Sequence, residues 1–315
     1  MRLGFIKPNY PNEKRVALLP RDIENFDNEI VIERGFGELL DISDEAYFNA
    51  GCKLASREDI FIKCDAIFSL KLIQESDYNY IRKGQMIIGW THPNGSGVKF
   101  MKNQAIPKKL VIVDLDNISP AVYFNNKKID IDWIPKNFVS RNSFIAGYAA
   151  TMHALFAYGI IPDSNTKVAI LAPGNVSQGA FYAVSKLSAD VRLFYRKTIE
   201  EFKREIESFD IIINGIEVDT PNTHIISKQE LKKVKKNCLI IDAAADEGNA
   251  IEGTHFTTID DPIYKENDVY FYIVNNAPSI FYRKASEIIS KSFSEHIYRR
   301  DVAKFLKLVK GNVKN

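Results

Sequence analysis

Short apolar runs alternate with polar, helix-like stretches along the first 120 residues. Strands buried on both faces read as near-continuous apolar runs. Such runs separated by helical stretches indicate βαβ units and a parallel sheet. The predicted strands are Leu3–Ile6, Ile30–Glu33, Ala66–Leu70, Met86–Trp90 and Leu110–Leu115, and the predicted helices are Ser43–Gly51, Ser56–Cys64, Glu75–Lys83 and Val98–Gln104.

The region that follows consists of a polar segment and then an uncharged one. Tyr123–Asn142 carries Pro135, several Asn residues and alternating charges, which predicts a loop and the first domain boundary. Phe144–Ile161 has no formal charge and closes with Gly159 and Pro162. It is long enough to raise the question of a membrane span. Its Gly, Tyr, Thr and His residues favour a helix buried between the domains.

A second alternating series begins at Lys167 and ends near residue 282. From Tyr282 the pattern predicts one amphipathic helix that can return to the first domain. We therefore predict two doubly wound, Rossmann-like α/β domains joined by long helices, with boundaries at 1–140 plus about 283–315 and at 141–282. The predicted strands of the second series are Val168–Leu171, Val191–Phe194, Ile211–Ile213, Leu239–Ile241 and Tyr270–Val274.

Composition narrows the class of protein. The chain has 315 residues, with 42 basic and 40 acidic side chains and a net charge of +2. This balance gives no support to nucleic-acid binding. Its three cysteines have no metal-ligand spacing, which argues against a zinc site and a disulfide framework and fits a reducing compartment. The polar N-terminus does not resemble a signal peptide. We expect a cytoplasmic protein with no membrane partner.

The clearest local motif is a glycine-containing turn after Val168–Leu171. In dinucleotide-binding folds, glycines let the backbone approach the pyrophosphate at a helix N-terminus. Here Gly174 and Gly179 fill two of the three glycine positions, and Ala172-Pro173 stands where the opening Gly-x is expected. The alternative is a plain βαβ crossover whose glycines serve packing. The predicted cofactor-binding residues of this turn are Ala172, Pro173, Gly174, Asn175, Val176 and Gly179.

The end of the next strand bears on which nicotinamide cofactor binds. NAD sites place a carboxylate there for the ribose 2′-hydroxyl, whereas NADP sites place cations near the 2′-phosphate. This chain has Tyr195-Arg196-Lys197, with no carboxylate before Glu200. The pattern favours NADP, with Arg196 and Lys197 as phosphate ligands. The alternative is a solvated pair of cations.

Polar side chains also follow strands of the first domain. Lys71 and His92 end neighbouring predicted strands, and Arg15 lies in the loop after the first strand. Two cations and an imidazole can bind a 2-oxo acid and supply acid/base catalysis. The alternatives are a solvated strand-end lysine and a loop histidine. In the second domain Asp242 and Asp246 follow the fourth strand, where they would face the nicotinamide.

These motifs occur in an order that resembles the alanine dehydrogenase and transhydrogenase family. The matching segments are EKRVALLP, IFSLK, GWTHPNGSG, the glycine turn, DAAADEGN and VNNAPSIFYR. The chain is also similar, over essentially its whole length, to the narrower family of N5-(carboxyethyl)ornithine synthases. The segments that carry this second resemblance are NSFIAGYAATMHAL, GNVSQGAF, DIIINGIE and AIEGTHFTTIDDPIY.

The resemblance implies an activity and a set of residue roles. The narrower family condenses pyruvate with the side-chain amine of ornithine, or less well lysine, and reduces the imine with NADPH. By this resemblance Arg15 and Lys71 bind the oxo acid and His92 is the acid/base. Asp246 would lie by the nicotinamide ribose and the substrate, and Asn276 would line the same cleft. The wider family also implies a homo-oligomer.

Two other functions remain open from the sequence. An alanine dehydrogenase would use ammonia and prefer NAD, and Arg196-Lys197 speaks against it. A nucleotide-binding subunit without chemistry of its own would not need Arg15, Lys71 and His92.

Overall fold

The computed structural model describes residues 1–116, 119–218 and 223–313, which form two compact units. Unit 1 comprises Met1–Val139 and Tyr282–Asn315, and unit 2 comprises Ser140–Phe281. Each unit is an α/β structure built on one mainly parallel sheet. No described helix is both long and apolar enough to cross a membrane.

The sheet of unit 1 has the strand order β3-β2-β1-β4-β5-β6-β7-β8. Strands β1 to β6 are parallel, and β7 and β8 add antiparallel strands at one edge. The strands are β1 (Arg2–Phe5), β2 (Glu29–Glu33), β3 (Lys53–Ala55), β4 (Ala66–Ser69), β5 (Met86–Gly89), β6 (Val111–Asp114), β7 (Ala121–Phe124) and β8 (Lys127–Asp130).

Alternate residues of these strands enter two different cores. Phe68 and Ile88 belong to the core on one face of the sheet, whereas Ile67 and Ile87 belong to the core on the other face. All four side chains are 0–1 % exposed. This explains why the sequence shows continuous apolar runs, since both faces must be covered.

The helices of unit 1 differ from the prediction in two places. Glu75–Lys83 forms only a 3₁₀ turn at Glu75–Asp77, and Val98–Gln104 combines a short helix with the π-helical turn Met101–Ala105. Further 3₁₀ turns lie at Pro20–Asp22 and Glu38–Leu40. The helices are α1 (Asp44–Asn49), α2 (Arg57–Lys63), α3 (Val98–Phe100) and, after unit 2, α8 (Tyr282–Phe293) and α9 (Ala303–Val313).

The C-terminal segment is two helices, so the prediction of one continuous helix is wrong. A π-helical turn at Ser294–Tyr298 ends the first helix. Asp301 starts the second, because its Oδ1 accepts the Ala303 N–H at 2.9 Å. Asn28 stabilises the break by donating to the carbonyl oxygens of Tyr298 and Arg300. The first of these helices bonds the loop after β1, since Ser286 Oγ accepts the Val16 N–H at 2.8 Å.

The predicted loop Tyr123–Asn142 overlaps the β7–β8 hairpin, which corrects that prediction. Its two turn residues, Asn125 and Asn126, have φ values of 47° and 62°. In unit 2 the sequence predicts the strand Tyr270–Val274 but misses its hairpin partner Tyr264–Glu266. The turn residues of this hairpin, Asn267 and Asp268, have φ values of 49° and 61°. Positive φ at both central residues is typical of the type I′ hairpin turn, which Asn and Asp tolerate.

Unit 2 has the strand order β10-β9-β11-β12-β14-β13, parallel except for β13. The uncharged segment forms α4, which ends before Gly159 with a φ of 78°, as the sequence predicts. The strands are β9 (Lys167–Leu171), β10 (Asp190–Phe194), β11 (Ile211–Asn214), β12 (Leu239–Asp242), β13 (Tyr264–Glu266) and β14 (Val269–Tyr272). The helices are α4 (Ser140–Tyr158), α5 (Asn175–Ser185), α6 (Ile199–Arg204) and α7 (Lys228–Leu231), with 3₁₀ turns at Ile206–Ser208 and Ala277–Phe281.

Each sheet has a point where the chain reverses its direction of winding. In unit 1 the chain runs from β1 outward to β3 and then returns to place β4 on the other side of β1. In unit 2 the corresponding reversal lies between β9 and β11. Ligands of open α/β sheets bind at the carboxyl ends of strands at such points. The fold therefore favours ligand binding at the loops after β1, β4 and β9.

Candidate active site

The loop after β1 carries a buried ion pair. Glu13 and Arg15 side chains are 0 % and 1 % exposed, and Arg15 Nε and Nη2 donate to the two Glu13 oxygens at 2.7 and 2.5 Å. A turn places them, because the Glu13 N–H donates to the Tyr10 carbonyl and Asn12 has a φ of 58°. Pro11 before a residue with positive φ is typical of a type II turn.

Lys71 and Arg15 lie against the same aromatic ring. The Arg15 guanidinium is 4.8 Å from the centroid of the Trp90 ring, and Lys71 Nζ is 5.8 Å from it. The Tyr10 ring lies 5.1 Å from Lys71 Nζ. Desolvation, together with the positive charge of Arg15, lowers the pKa of Lys71 to about 8. A substantial fraction of Lys71 is therefore a neutral amine near physiological pH.

His92 is paired with a carboxylate. Its Nδ1 lies 2.9 Å from Asp116 Oδ2. Burial lowers the pKa of His92, but the hydrogen bond and charge of Asp116 outweigh burial and raise it above the ordinary value. A carboxylate can only accept, so Nδ1 carries the proton of this bond and Nε2 is the atom left for a ligand.

The backbone of His92 is strained. Its φ is 44°, in the left-handed region that residues other than glycine rarely occupy. Buried Asp114 stabilises this conformation, because its Oδ1 accepts the N–H and hydroxyl of Thr91 at 3.0 Å and the His92 N–H at 3.3 Å. Strain of this kind is concentrated at functional sites.

Unit 1 therefore brings together all three residues predicted from its sequence. Arg15 follows β1, Lys71 follows β4 and His92 follows β5, at and beside the reversal of this sheet. Arg15 is paired with Glu13, and His92 is paired with Asp116. No carboxylate of the described chain lies within 4.0 Å of Lys71 Nζ. The cluster offers a fixed guanidinium, a weakly basic amine and a carboxylate-paired imidazole.

Sequence reasoning missed four residues of this cluster: Glu13, Asp116, Tyr10 and Trp90. Asp116 could have been found, because it follows β6, the strand beside β5, at the same sheet edge. The two aromatic rings give no comparable signal, since a Tyr in a loop and a Trp after a strand occur in many structural settings.

The glycine turn of unit 2 keeps a left-handed backbone at its first position, although that residue is Ala172. Ala172 has a φ of 79°, so alanine adopts the conformation that the opening glycine normally supplies. A Cβ on Gly174, at the N-terminus of α5, would meet no protein atom within 4 Å. A Cβ on Gly179 would lie 1.9 Å from the Phe144 carbonyl oxygen. Gly179 therefore serves the contact between α4 and α5, and Gly174 leaves room for a ligand.

The predicted phosphate ligands extend from the end of β10. Arg196 and Lys197 are exposed, as is Tyr195 before them. Neither cation forms an ion pair with any described residue. Arg192, within the same strand, is instead paired with Glu201 and Glu205. This leaves the strand-end cations available to an external anion.

Asp242 and Asp246 are held by protein groups. Burial raises the pKa of Asp242 to about 6, and Asn214 Nδ2 donates to its Oδ1 at 2.9 Å. The Asp246 oxygens accept from the Val218 N–H at 2.7 Å and from Asn249 Nδ2 at 2.8 Å. Asp246 therefore orders the loops after β11 and β12. Asn276 is 4 % exposed and follows β14.

Comparison with known proteins identifies the family. The family models "Alanine dehydrogenase/PNT, N-terminal domain" and "Alanine dehydrogenase/PNT, C-terminal domain" match residues 5–122 and 181–312. An N(5)-(carboxyethyl)ornithine synthase of Clostridium botulinum is 59 % identical over 98 % of both chains. The chain belongs to this synthase family. A synthase of Lactococcus lactis subsp. lactis is 53 % identical over 98 % of this chain and 99 % of its own.

The fold agrees with membership of the wider alanine dehydrogenase/PNT family. A solved L-alanine dehydrogenase superposes with a TM-score of 0.78 at 19 % identity, covering 99 % of this chain and 93 % of its own. The family consists of oxidoreductases that use a nicotinamide nucleotide. The two doubly wound α/β units predicted from the sequence are thereby confirmed.

Proposed function

We propose that this protein catalyses the NADPH-dependent reductive condensation of pyruvate with the side-chain amine of ornithine, or of lysine, to give N5-(1-carboxyethyl)ornithine or its lysine analogue. The observation that carries the proposal is the Arg15–Lys71–His92 cluster in a chain 59 % identical to a named N(5)-(carboxyethyl)ornithine synthase. Unit 1 binds the organic substrates in this proposal, and unit 2 binds the cofactor.

The cations of unit 1 hold the oxo acid. Arg15 keeps a fixed orientation because Glu13 and the Trp90 ring hold it, so its positive charge is in place before substrate arrives. Fixed donors stabilise the carboxylate and the developing charge on the carbonyl oxygen without reorganising. Lys71 adds a donor whose proton can leave, since its pKa is about 8.

His92 moves protons at Nε2. Attack by the amine on C2 of pyruvate gives a carbinolamine, whose hydroxyl must leave as water. Protonated Nε2 donates to that oxygen, and Asp116 at Nδ1 stabilises the charged ring. When bound, NADPH supplies the hydride that reduces the C=N bond. Asn276 and Asp246 belong to the cofactor unit in this proposal, with Asp246 acting by ordering its loop.

The residues of unit 2 fit an NADPH phosphate backbone. The open space at Gly174 and the N-terminus of α5 suit the pyrophosphate, and no acidic residue lies in the first turn of that helix. Asn175 and Val176 are the first two residues of this helix, which runs on through Gly179. Arg196 and Lys197 suit the 2′-phosphate.

The deciding experiment is an assay of NADPH oxidation with pyruvate alone and with ornithine, lysine or ammonia added. We expect oxidation only with pyruvate and a diamino acid, and a product heavier than ornithine by one carboxyethyl group. Oxidation with ammonia and not with ornithine would instead indicate an alanine dehydrogenase. No oxidation with any amine would indicate a nucleotide-binding subunit.

The role of His92 is tested by His92→Ala. A positioned acid/base contributes about 10²–10⁴-fold to turnover. We expect a loss of that size in kcat with unchanged NADPH affinity, measured by fluorescence titration. Turnover close to that of the native enzyme would mean that His92 only shapes the loop.

A further inference from the structure

A second buried cluster of charges lies at the carboxyl edge of the unit 1 sheet. Arg57, the first residue of α2, donates from Nε and Nη2 to Asp77 at 2.8 and 2.7 Å and from Nη1 to Glu33 at 2.8 Å. The side chains of Arg57, Glu33 and Asp77 are 19 %, 11 % and 3 % exposed. None of them belongs to the cluster of Arg15, Lys71 and His92.

This cluster is bonded to the chain that leaves β1. Arg57 Nη1 also donates to the Lys7 carbonyl oxygen at 2.9 Å, and Glu33 Oε2 accepts the Lys7 N–H at 2.6 Å. Asn9 Nδ2 donates to Asp77 Oδ2 at 3.3 Å. Both main-chain polar groups of Lys7 and the side chain of Asn9 are thus fixed directly before Tyr10.

We propose that Arg57 is a positioning residue for the oxo-acid site, fixing Lys7–Asn9 so that the Tyr10 ring covers Lys71 Nζ. The ring lies 5.1 Å from that nitrogen, and Tyr10 also begins the turn that leads to Glu13. The description of the site as an oxo-acid site rests on the proposed function. The arrangement of Arg57, Tyr10 and Lys71 does not.

Stability alone is a poor explanation for this cluster. Burying a guanidinium with two carboxylates costs desolvation energy that apolar residues of similar volume would avoid. Such a network does fix geometry, because four N–H···O bonds from one planar group leave little freedom. The network joins the chain after β1, the last residue of β2, the first residue of α2 and the 3₁₀ turn after β4.

The positioning role of Arg57 can be tested by measuring the pKa of Lys71, which depends on the groups around it. Arg15, Glu13 and Asp116 act on Lys71 through their charge, His92 is its titrating neighbour, and Tyr10 and Trp90 shield it. Brief acetic anhydride labelling from pH 6 to 11, followed by peptide mass spectrometry, measures the fraction of Lys71 that is unprotonated. This readout needs no turnover.

We expect Arg57→Lys and Tyr10→Leu each to raise the pKa of Lys71 by about one unit, because water then reaches Nζ. The double variant should shift no further than Tyr10→Leu alone, since Arg57 acts through Tyr10. Lysine retains the charge but cannot form the four bonds. In assays of the proposed reaction, each single variant should raise KM for pyruvate by about tenfold or more. Each should leave the affinity for NADPH unchanged.

Arg82→Lys is the matched control. Arg82 is a more exposed arginine of unit 1, and it donates to the Phe61 and Cys64 carbonyl oxygens at the end of α2. It should lower the melting temperature without moving the pKa of Lys71. If Arg57→Lys does not fold, Asp77→Asn serves instead, since it removes one ionic partner of Arg57 and preserves volume.

The outcomes are distinct. An unchanged pKa of Lys71 in folded Arg57→Lys or Asp77→Asn, or additive shifts in the double variant, would overturn the positioning role. A native enzyme inactive with pyruvate and ornithine would overturn the proposed function and leave the labelling result standing.

Discussion

At the scale of single residues, the ion pair of His92 with Asp116 makes a prediction about pH. Asp116→Asn removes the negative charge that raises the pKa of His92, while burial, which lowers it, remains. The pKa of His92 should therefore fall, and the protonated form should be lost at a lower pH than in the native enzyme. A pH series of kcat/KM for pyruvate measures the shift.

A control for this experiment lies in the same unit. Asp130 is an exposed carboxylate on β8 that is paired with Lys128. Asp130→Asn should leave the pH profile unchanged. If Asp116→Asn also left it unchanged, the ion pair would not set the pKa of His92.

Cofactor choice is also decided by two side chains in the proposed mechanism. Charge-assisted hydrogen bonds contribute about 1.5–3 kcal/mol each. Replacing Arg196 and Lys197 together by Ala should weaken NADPH binding by several kcal/mol at most and affect NADH little. Calorimetric titration with both cofactors measures the change in preference.

The matched control is the pair Lys232→Ala and Lys233→Ala. These are also adjacent exposed cations of unit 2, but they follow α7. They should leave the preference for NADPH unchanged. An unaltered preference in the Arg196–Lys197 variant would mean that other groups recognise the 2′-phosphate.

The residues of the site were predictable to different degrees. Lys71 and His92 could be placed because the carboxyl ends of neighbouring parallel strands meet at one sheet edge. The contacts of Tyr10 and Trp90 with Lys71 arise because a loop folds back over the site, and no sequence periodicity predicts such a loop. Asp246 illustrates a different difficulty, since its position was predictable but its bonds to Val218 and Asn249 were not.

At the scale of elements, the contact of α4 with α5 separates two roles of glycine. Gly179→Ala should destabilise the protein by about 1–3 kcal/mol, because its methyl group would lie 1.9 Å from the Phe144 carbonyl oxygen. Gly174→Ala should leave stability nearly unchanged, since its Cβ meets no protein atom and its φ is −66°. It should nevertheless weaken NADPH binding. Thermal denaturation and cofactor titration on both variants measure the two effects.

These variants control each other. Equal melting temperatures for both would contradict the packing role of Gly179. Native NADPH affinity in Gly174→Ala would contradict the approach of the pyrophosphate to that turn.

Strands buried on both faces were predicted well, whereas three of the four edge strands, β3, β8 and β13, were missed. β4, β5, β11 and β12 are fully buried, and each is apolar up to its last residue. β8 is mostly exposed and carries Lys-Lys-Ile-Asp, so its composition resembles a loop. Its only local signal is the Asn125-Asn126 turn. The break between α8 and α9 was missed because the apolar period continues across Asp301.

At the scale of the whole molecule, the reaction should depend steeply on pH. The amine of ornithine attacks only when unprotonated, and a lysine-like amine has a pKa of about 10.4. Roughly 0.04 % is free at pH 7 and roughly 4 % at pH 9. Hence kcat/KM for ornithine should rise steeply over this range while NADPH affinity changes little. The measurement is a pH series with saturating pyruvate and NADPH.

A second pH series, with pyruvate varied at saturating ornithine, measures oxo-acid binding over the same range. It separates deprotonation of the ornithine amine from any loss of pyruvate binding. A flat ornithine profile would mean that the enzyme itself takes the proton from the bound ammonium. Lys71, with a pKa of about 8, would then be the group to replace first.

Unit 1 is built from both ends of the chain, and this delays its folding during synthesis on the ribosome. Phe68 is covered by Phe293 and Tyr298, which are translated after all of unit 2. At 5–20 residues per second, the first 139 residues wait roughly 10–30 s for these partners. During that time a nascent sheet with one bare apolar face is a target for chaperones and for aggregation. A premature stop codon at residue 282 would leave that face bare permanently.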